Sequence, residues 1–260
     1  MSNKMLGKKP YRYDKRTLQF GKYLTTEVLP TPPALHWGNP NPLGTLFNDT
    51  IGDCTIAGPC HQEMVWRDIN GVMFFPTDAD ALAAYEAVGG YNPNATPDAN
   101  GNNPTDQGCV LLDVLNYWKQ TGIAGRKIGA FVQVNQLNID HIRQAAYLFG
   151  GLIVGINMPV SAKNQPTLWD TPPEGLTGDG TPGSWGGHCI YMPGYDQNVM
   201  ETITWGERIA MTISFWQNYI DEVYAFTGTK ASSVPDASST LALLGAGMTA
   251  LACVARRFRK

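Results

Sequence analysis

Asn48-Asp49-Thr50-Ile51-Gly52-Asp53-Cys54 is the stretch on which the reading of this chain turns. Asp53 is the expected N-cap of a helix that opens at Cys54 and runs to about Ile69, with Ala57, Cys60 and Met64 on one face. A cysteine in the first turn of a helix sits where the dipole and the free backbone N–H groups favour a thiolate. Gly52 lets the backbone close on a substrate carbonyl. Asn48, six residues ahead of the cysteine, carries an amide that can donate to an oxyanion.

A thiol nucleophile also needs a base. His188 follows Gly186-Gly187 and opens an expected strand far along the chain, and the pair has only to meet in space. Taken singly, a helix-start cysteine is more often a small buried residue, and a strand-start histidine a structural one. Their shared context raises the chemical reading above these.

Outward from this segment, residues 1–43 read as an extended arm. Leu29-Pro30-Thr31-Pro32-Pro33 within it cannot be helical. Residues 89–108, rich in Gly, Asn, Pro and Asp, read as a long loop. A helix follows over 109–121, with Val110, Val114, Leu115 and Trp118 at helical spacing and Gly122 ending it. A strand at 129–134 precedes a helix opened by Asp140, whose stripe is Ile142, Ala145, Ala146 and Phe149. Gly150-Gly151 stops that helix, and 152–156 reads as a buried strand. After a loop at 159–187, strands are expected at 188–195, 199–205, 209–214 and 222–227. Helices first and strands later predict an α+β fold with a mostly antiparallel sheet.

Composition narrows the function. The chain has 260 residues, 43% hydrophobic and 16% charged, as in a globular protein with a sizeable core. The net charge of -3 is unevenly spread: residues 1–22 carry +6 and 234–260 carry +3, leaving -12 for the middle. An acidic body argues against nucleic acid as partner. The five cysteines form no CxxC pair, and Cys60-His61 lacks a second pair at ligand spacing. Neither a metal nor a cofactor is expected.

The motifs together resemble the papain-like cysteine peptidases. Residues 48–54 are similar to that family's segment of Gln, a short loop, Gly-x-Cys and then a helix. Thr105-Asp106-Gln107-Gly108-Cys109 resembles its glycine-rich cleft loop, and 127–158 its strand, helix and buried-strand passage. Gly187-His188-Cys189-Ile190-Tyr191-Met192-Pro193-Gly194-Tyr195 resembles its histidine strand, and Thr204-Trp205-Gly206 the end of its Asn-Ser-Trp-Gly motif. The likeness runs in order over about 44–226, and is nearer still to an uncharacterised bacterial and phage group with the same Asn-Asp-x-x-Gly-Asp-Cys segment.

What the resemblance implies is a hydrolase domain at 44–227 acting on peptide or protein substrates. Its helical half would carry Cys54 and its antiparallel half His188. The Cys54 N–H and Asn48 would hold the oxyanion, while Gly52, Gln107, Gly108, Gly187 and Trp205 would line the substrate cleft. The alternative is a catalytically inactive papain-like fold that binds or builds a cell surface or phage particle.

The departures are specific. Asn48 replaces a Gln, and Thr55 replaces the Trp after the nucleophile. Asp53 sets a carboxylate beside the thiol, which disfavours a thiolate unless it points away or caps the helix. The Asn that orients the histidine is missing: alignment on Trp205 puts Ile203 there, counting from His188 puts Thr204 there, and Asp196 is a third candidate. The family's inhibitory pro-region is also expected to be missing, since only residues 1–43 precede the core.

Residues 228–239 read as a polar linker. Beyond it, Val234-Pro235-Asp236, the apolar run Thr240 to Ala255, and Arg256-Arg257-Phe258-Arg259-Lys260 resemble a PEP-CTERM sorting tail in a Val-Pro-Asp variant. The apolar run, 16 residues, is short for a membrane span. The resemblance implies a C-terminal hydrophobic helix, a membrane transpeptidase as partner, and a membrane or cell-surface address once the tail is processed. Met1 to Phe20 is basic and polar with no signal peptide, so an unprocessed chain is expected to be cytoplasmic.

Overall fold

The computed structural model describes residues 4–24 and 30–228, so the apolar C-terminal segment lies outside the described residues. After the extended arm and strand β1 (Leu35–His36), the chain forms helices α1 (Cys54–Ile69), α2 (Asp78–Gly89) and α3 (Leu111–Gln120). Strand β2 (Ile128–Gln133), helix α4 (Ile139–Phe149) and strands β3 (Leu152–Met158) and β4 (Leu168–Trp169) follow. The last part holds strands β5 (Gly186–Tyr195), β6 (Val199–Thr204) and β7 (Glu207–Thr212), helix α5 (Ile213–Tyr219) and strand β8 (Ile220–Gly228).

The strands form one sheet in the order β2-β8-β3-β5-β6-β7-β4, with β1 on β5. Every pairing is antiparallel except β4 with β7. At its centre the sheet is buried on both faces, which is why β3 and β5 read as nearly unbroken apolar runs rather than alternating ones. Ile153, Cys189 and Tyr191 pack against α1 to α3, while Val154, Ile190 and Met192 pack toward α4 and α5. Each fully buried Ile or Leu in these layers contributes roughly 1.5–3 kcal/mol.

Three expectations are corrected. Helix α2 lies in a stretch read as neither helix nor strand, although Thr77 and Asp80 form a full capping box at its start. Helix α4 is capped by the side chain of Asn138, not Asp140. The expected strand 209–214 stops at Thr212, whose hydroxyl accepts the Phe215 N–H and starts α5 instead.

Candidate active site

Helix α1 begins at Cys54, which is wholly buried, and packs along β5, which carries His188. Asp53 holds the N-cap position, yet its carboxyl makes no capping bond and neither oxygen has a hydrogen-bond partner. Burial pushes its pKa well above the usual carboxylate range. The expected cap does not form, and the Asp53 carboxyl adds to the upward push on the Cys54 thiol.

His188 is buried on β5, with Nε2 2.7 Å from the Thr204 hydroxyl on β6. Of the three candidates for that contact, Thr204 is the one that makes it. Ile203 has no polar side chain, and Asp196 accepts the N–H groups of Asn198 and Val199 in the turn between β5 and β6. Trp205 stacks on the imidazole at 4.2 Å between centroids and 13° between planes, and Trp185 stacks on Trp205 in turn. The His188–Thr204 bond is thereby walled from water. His188 Nδ1 is buried with no hydrogen-bond partner among the described residues.

Both chemical groups are neutral here. Burial, outweighing the backbone N–H groups of Cys189 and Gly7 that approach the sulfur, pushes the Cys54 thiol up to about 12. Burial, and then the nearby Lys4 ammonium, lowers His188 to about 3.

The N-terminal arm contributes to this burial, with Gly7 at the Cys54 sulfur and Met5 on Trp205. Residues 5–9 run through the cleft and are hydrogen-bonded to both walls, Lys8 forming an isolated bridge with Cys109. Met5 N–H donates to the Asn48 carbonyl (3.1 Å), Lys8 N–H to that of Gly187 (3.0 Å) and Lys9 N–H to that of Cys109 (2.9 Å). Cys109 N–H returns a bond to the Gly7 carbonyl at 2.9 Å. The walls are glycine because the arm lies against backbone. A Cβ at Gly108 would come within 2.0 Å of the Gly7 oxygen, and one at Gly187 within 2.1 Å of the Lys8 oxygen. Trp205 Nε1–H closes the far end on the Met5 carbonyl at 3.0 Å. The start of the expected extended arm thus lies in the cleft, hydrogen-bonded to both sides.

Gly52, Gly108, Gly187 and Trp205 thus all meet the arm. Gln107 does not; it is exposed and donates to Pro104 of its own loop. Asn48 is buried, and its Nδ2 donates to the Ile51 carbonyl at 3.2 Å. Sequence reasoning missed two residues that fix the walls. Asp106 accepts the Gly52 N–H at 3.0 and 3.1 Å and the Tyr85 hydroxyl at 2.6 Å, and the Tyr85 oxygen accepts the Gly108 N–H at 2.8 Å. Tyr85 lies on α2, the helix the sequence reading passed over. Cys60 and Cys109 are buried free thiols, and His61 Nε2 donates to the Gly44 carbonyl at 3.0 Å.

A helix that opens at a cysteine and packs on the strand carrying a histidine, with the sheet half following the helical half, is the arrangement of the papain-like fold. Among solved structures the chain is similar to xylellain, a cysteine protease from Xylella fastidiosa, with a TM-score of 0.66 and 15% identity over 88% of this chain and 98% of that one. It is similar to the cysteine protease and lectin-like domains of Cwp84, a surface layer associated protein of Clostridium difficile (TM-score 0.55, 9% identity, 88% of this chain and 57% of that one). It is also similar to procathepsin B S9 from Trypanosoma congolense (TM-score 0.52, 9% identity, 88% and 87%). No family model matches the chain, and no curated protein does.

Proposed function

We propose that the chain is a latent papain-like cysteine peptidase or amide hydrolase, held closed by its own arm. Cys54 attacks the substrate carbonyl, and His188 Nδ1 takes the thiol proton and returns it to the leaving amine. With its proton on Nε2, His188 donates to Thr204, which leaves Nδ1 free for that exchange. The backbone N–H of Cys54 and the second Nδ2–H of Asn48 serve the oxyanion. The observation that carries this reading is the His188–Thr204 contact at 2.7 Å under Trp205: it orients an imidazole whose other nitrogen has nothing to hold.

Turnover of a fluorogenic peptide-amide library tests it, using a chain whose arm has been displaced, with Cys54→Ala and His188→Ala as controls. Cleavage lost in both controls supports the reading. Cleavage in neither the parent nor the controls sinks it.

A second reading, a papain-like fold that binds without catalysis, draws on the neutral thiol and the partnerless imidazole of the closed state. Peptide capture by the opened chain without any Cys54-dependent turnover would select it.

For the C-terminal segment we propose membrane-directed sorting with cutting near Val234-Pro235-Asp236. No helix among the described residues is long and apolar enough to cross a membrane. An intact mass ending near Asp236 in protein from the native cells supports this, and a full-length mass contradicts it.

A further inference from the structure

Lys8 does more than fill the cleft. Its side chain leaves the arm sideways into a closed pocket, where it is wholly buried. There Nζ donates to Asp221 Oδ2 at 2.8 Å, to Glu222 Oε1 at 3.1 Å and to its own neighbour's carbonyl, Lys9, at 3.2 Å. An ammonium has three donors, and all three are met. Such complete satisfaction of a buried cation requires a built site, because a charge taken out of water without partners is strongly penalised.

Three features of the fold build it. Asp221 and Glu222 are consecutive in β8, and consecutive strand residues ordinarily face opposite ways. The register between β3 and β8 slips here, Gly155 facing Glu222 but Ile156 facing Ile220, and this bulge lets both carboxylates reach one ammonium. Gly155 opens the channel, since a Cβ there would lie 2.5 Å from Glu222 Cγ and 2.9 Å from Lys8 Cδ. Tyr224 donates to Glu222 Oε2 at 3.0 Å and fixes that carboxylate from behind. Asp221 Oδ1 is left buried and without a partner, one acceptor more than lysine uses.

We propose that this pocket selects a lysine or arginine side chain of the peptide bound in the cleft, with Lys8 as the resident stand-in. The inference rests on reading the cleft as a substrate cleft, and it names the substrate class: peptides carrying a basic residue beside the amide presented to Cys54. The spare Asp221 oxygen suits the wider donor fork of arginine.

The test keeps the chain full length and varies position 8. Alkylation of Cys54 by iodoacetamide at fixed pH, read by mass spectrometry, reports how often the arm leaves. Lys8→Arg is expected to label within about threefold of wild type, and Lys8→Leu and Lys8→Glu at least about tenfold faster, the size of losing charge-assisted hydrogen bonds. In an Asp221→Asn/Glu222→Gln chain, Lys8 and Lys8→Leu should label alike. Leucine protecting Cys54 as well as lysine in the wild-type pocket overturns the proposal.

Next, a dye-labelled peptide of residues 4–12 and its Lys8→Leu form are offered to whichever position-8 variant, its Asp221–Glu222 pocket intact, labels fastest. Anisotropy should show the lysine peptide binding at least about tenfold more tightly. Equal affinity, or no binding of either peptide to a chain whose Cys54 labels freely, overturns it. No readout here requires catalysis. If His188→Ala leaves every labelling rate unchanged, the hydrolase reading falls while the order at position 8 still decides the pocket.

Discussion

Gly7 of the arm and Gly52 of the loop before Cys54 approach so closely that a Cβ on Gly7 would stand 1.6 Å from the Gly52 carbonyl oxygen. No side chain fits between them, and the obstructing atom is backbone that cannot swing aside. Gly7→Ala is therefore expected to lift the arm from Cys54. Iodoacetamide labelling of Cys54 should rise at least about tenfold, while Cys60, buried in α1, keeps its rate. An unchanged Cys54 rate would show that the arm does not guard the thiol.

Thr204 holds the imidazole by one bond. In the Gly7→Ala chain, Thr204→Val leaves His188 Nε2 buried and partnerless, and the rate of Cys54 alkylation near neutral pH should fall about tenfold or more, as expected for a weakened general base. Thr204→Asn, which restores a carbonyl acceptor, should recover most of it. A valine variant as fast as its parent, with the same pH profile, would reduce Thr204 to packing.

His188 also couples stability to pH. Burial holds it at about 3 when folded, against about 6.5 when unfolded, so between those values the unfolded chain binds the extra proton. Its contribution is complete above about pH 6.5 and is lost as the pH falls toward 3, on the order of a few kcal/mol in all. Urea unfolding of wild type and His188→Gln from pH 7.5 to 4 should show the wild type losing stability faster on acidification. His61, lowered to about 4 by burial, is common to both chains and cancels in the difference. Parallel curves would contradict the assignment.

Tyr85→Phe removes the hydroxyl that donates to Asp106 and accepts from Gly108, freeing the Gly108 wall and one support of the carboxylate that holds Gly52. The expected cost is about 1–3 kcal/mol in urea unfolding, with faster labelling of Cys54. Loss of stability with no change in labelling would separate the network from the cleft.

Much of this site was legible because local chemistry and tertiary structure agree. The helix opening at Cys54 follows from Asp53 and the spacing of Ala57, Cys60 and Met64, and the strand carrying His188 from its place after Gly186-Gly187. Counting from His188, rather than aligning on Trp205, picks out Thr204. Helix α2 was legible in principle, through its Thr77–Asp80 capping box, but its apolar face is narrow: only Ala81, Ala84 and Tyr85 are buried.

The arm's position was not legible. Residues 4–9 have no periodicity, and their course is set by distant glycines that make room for backbone. Asp221-Glu222 was equally hidden, because an alternating strand sends one of the two away from the cleft and only the bulge against β3 brings both to Lys8.

The central claim is that Cys54 and His188 act as one unit once the arm has left. The pH profile of Cys54 alkylation in the Gly7→Ala chain, with and without His188→Ala, tests it most directly. The account predicts rapid modification at a pH well below the ordinary thiol value of about 8.5, abolished by His188→Ala. A single inflection at or above that value, the same with His188 present or absent, would contradict it.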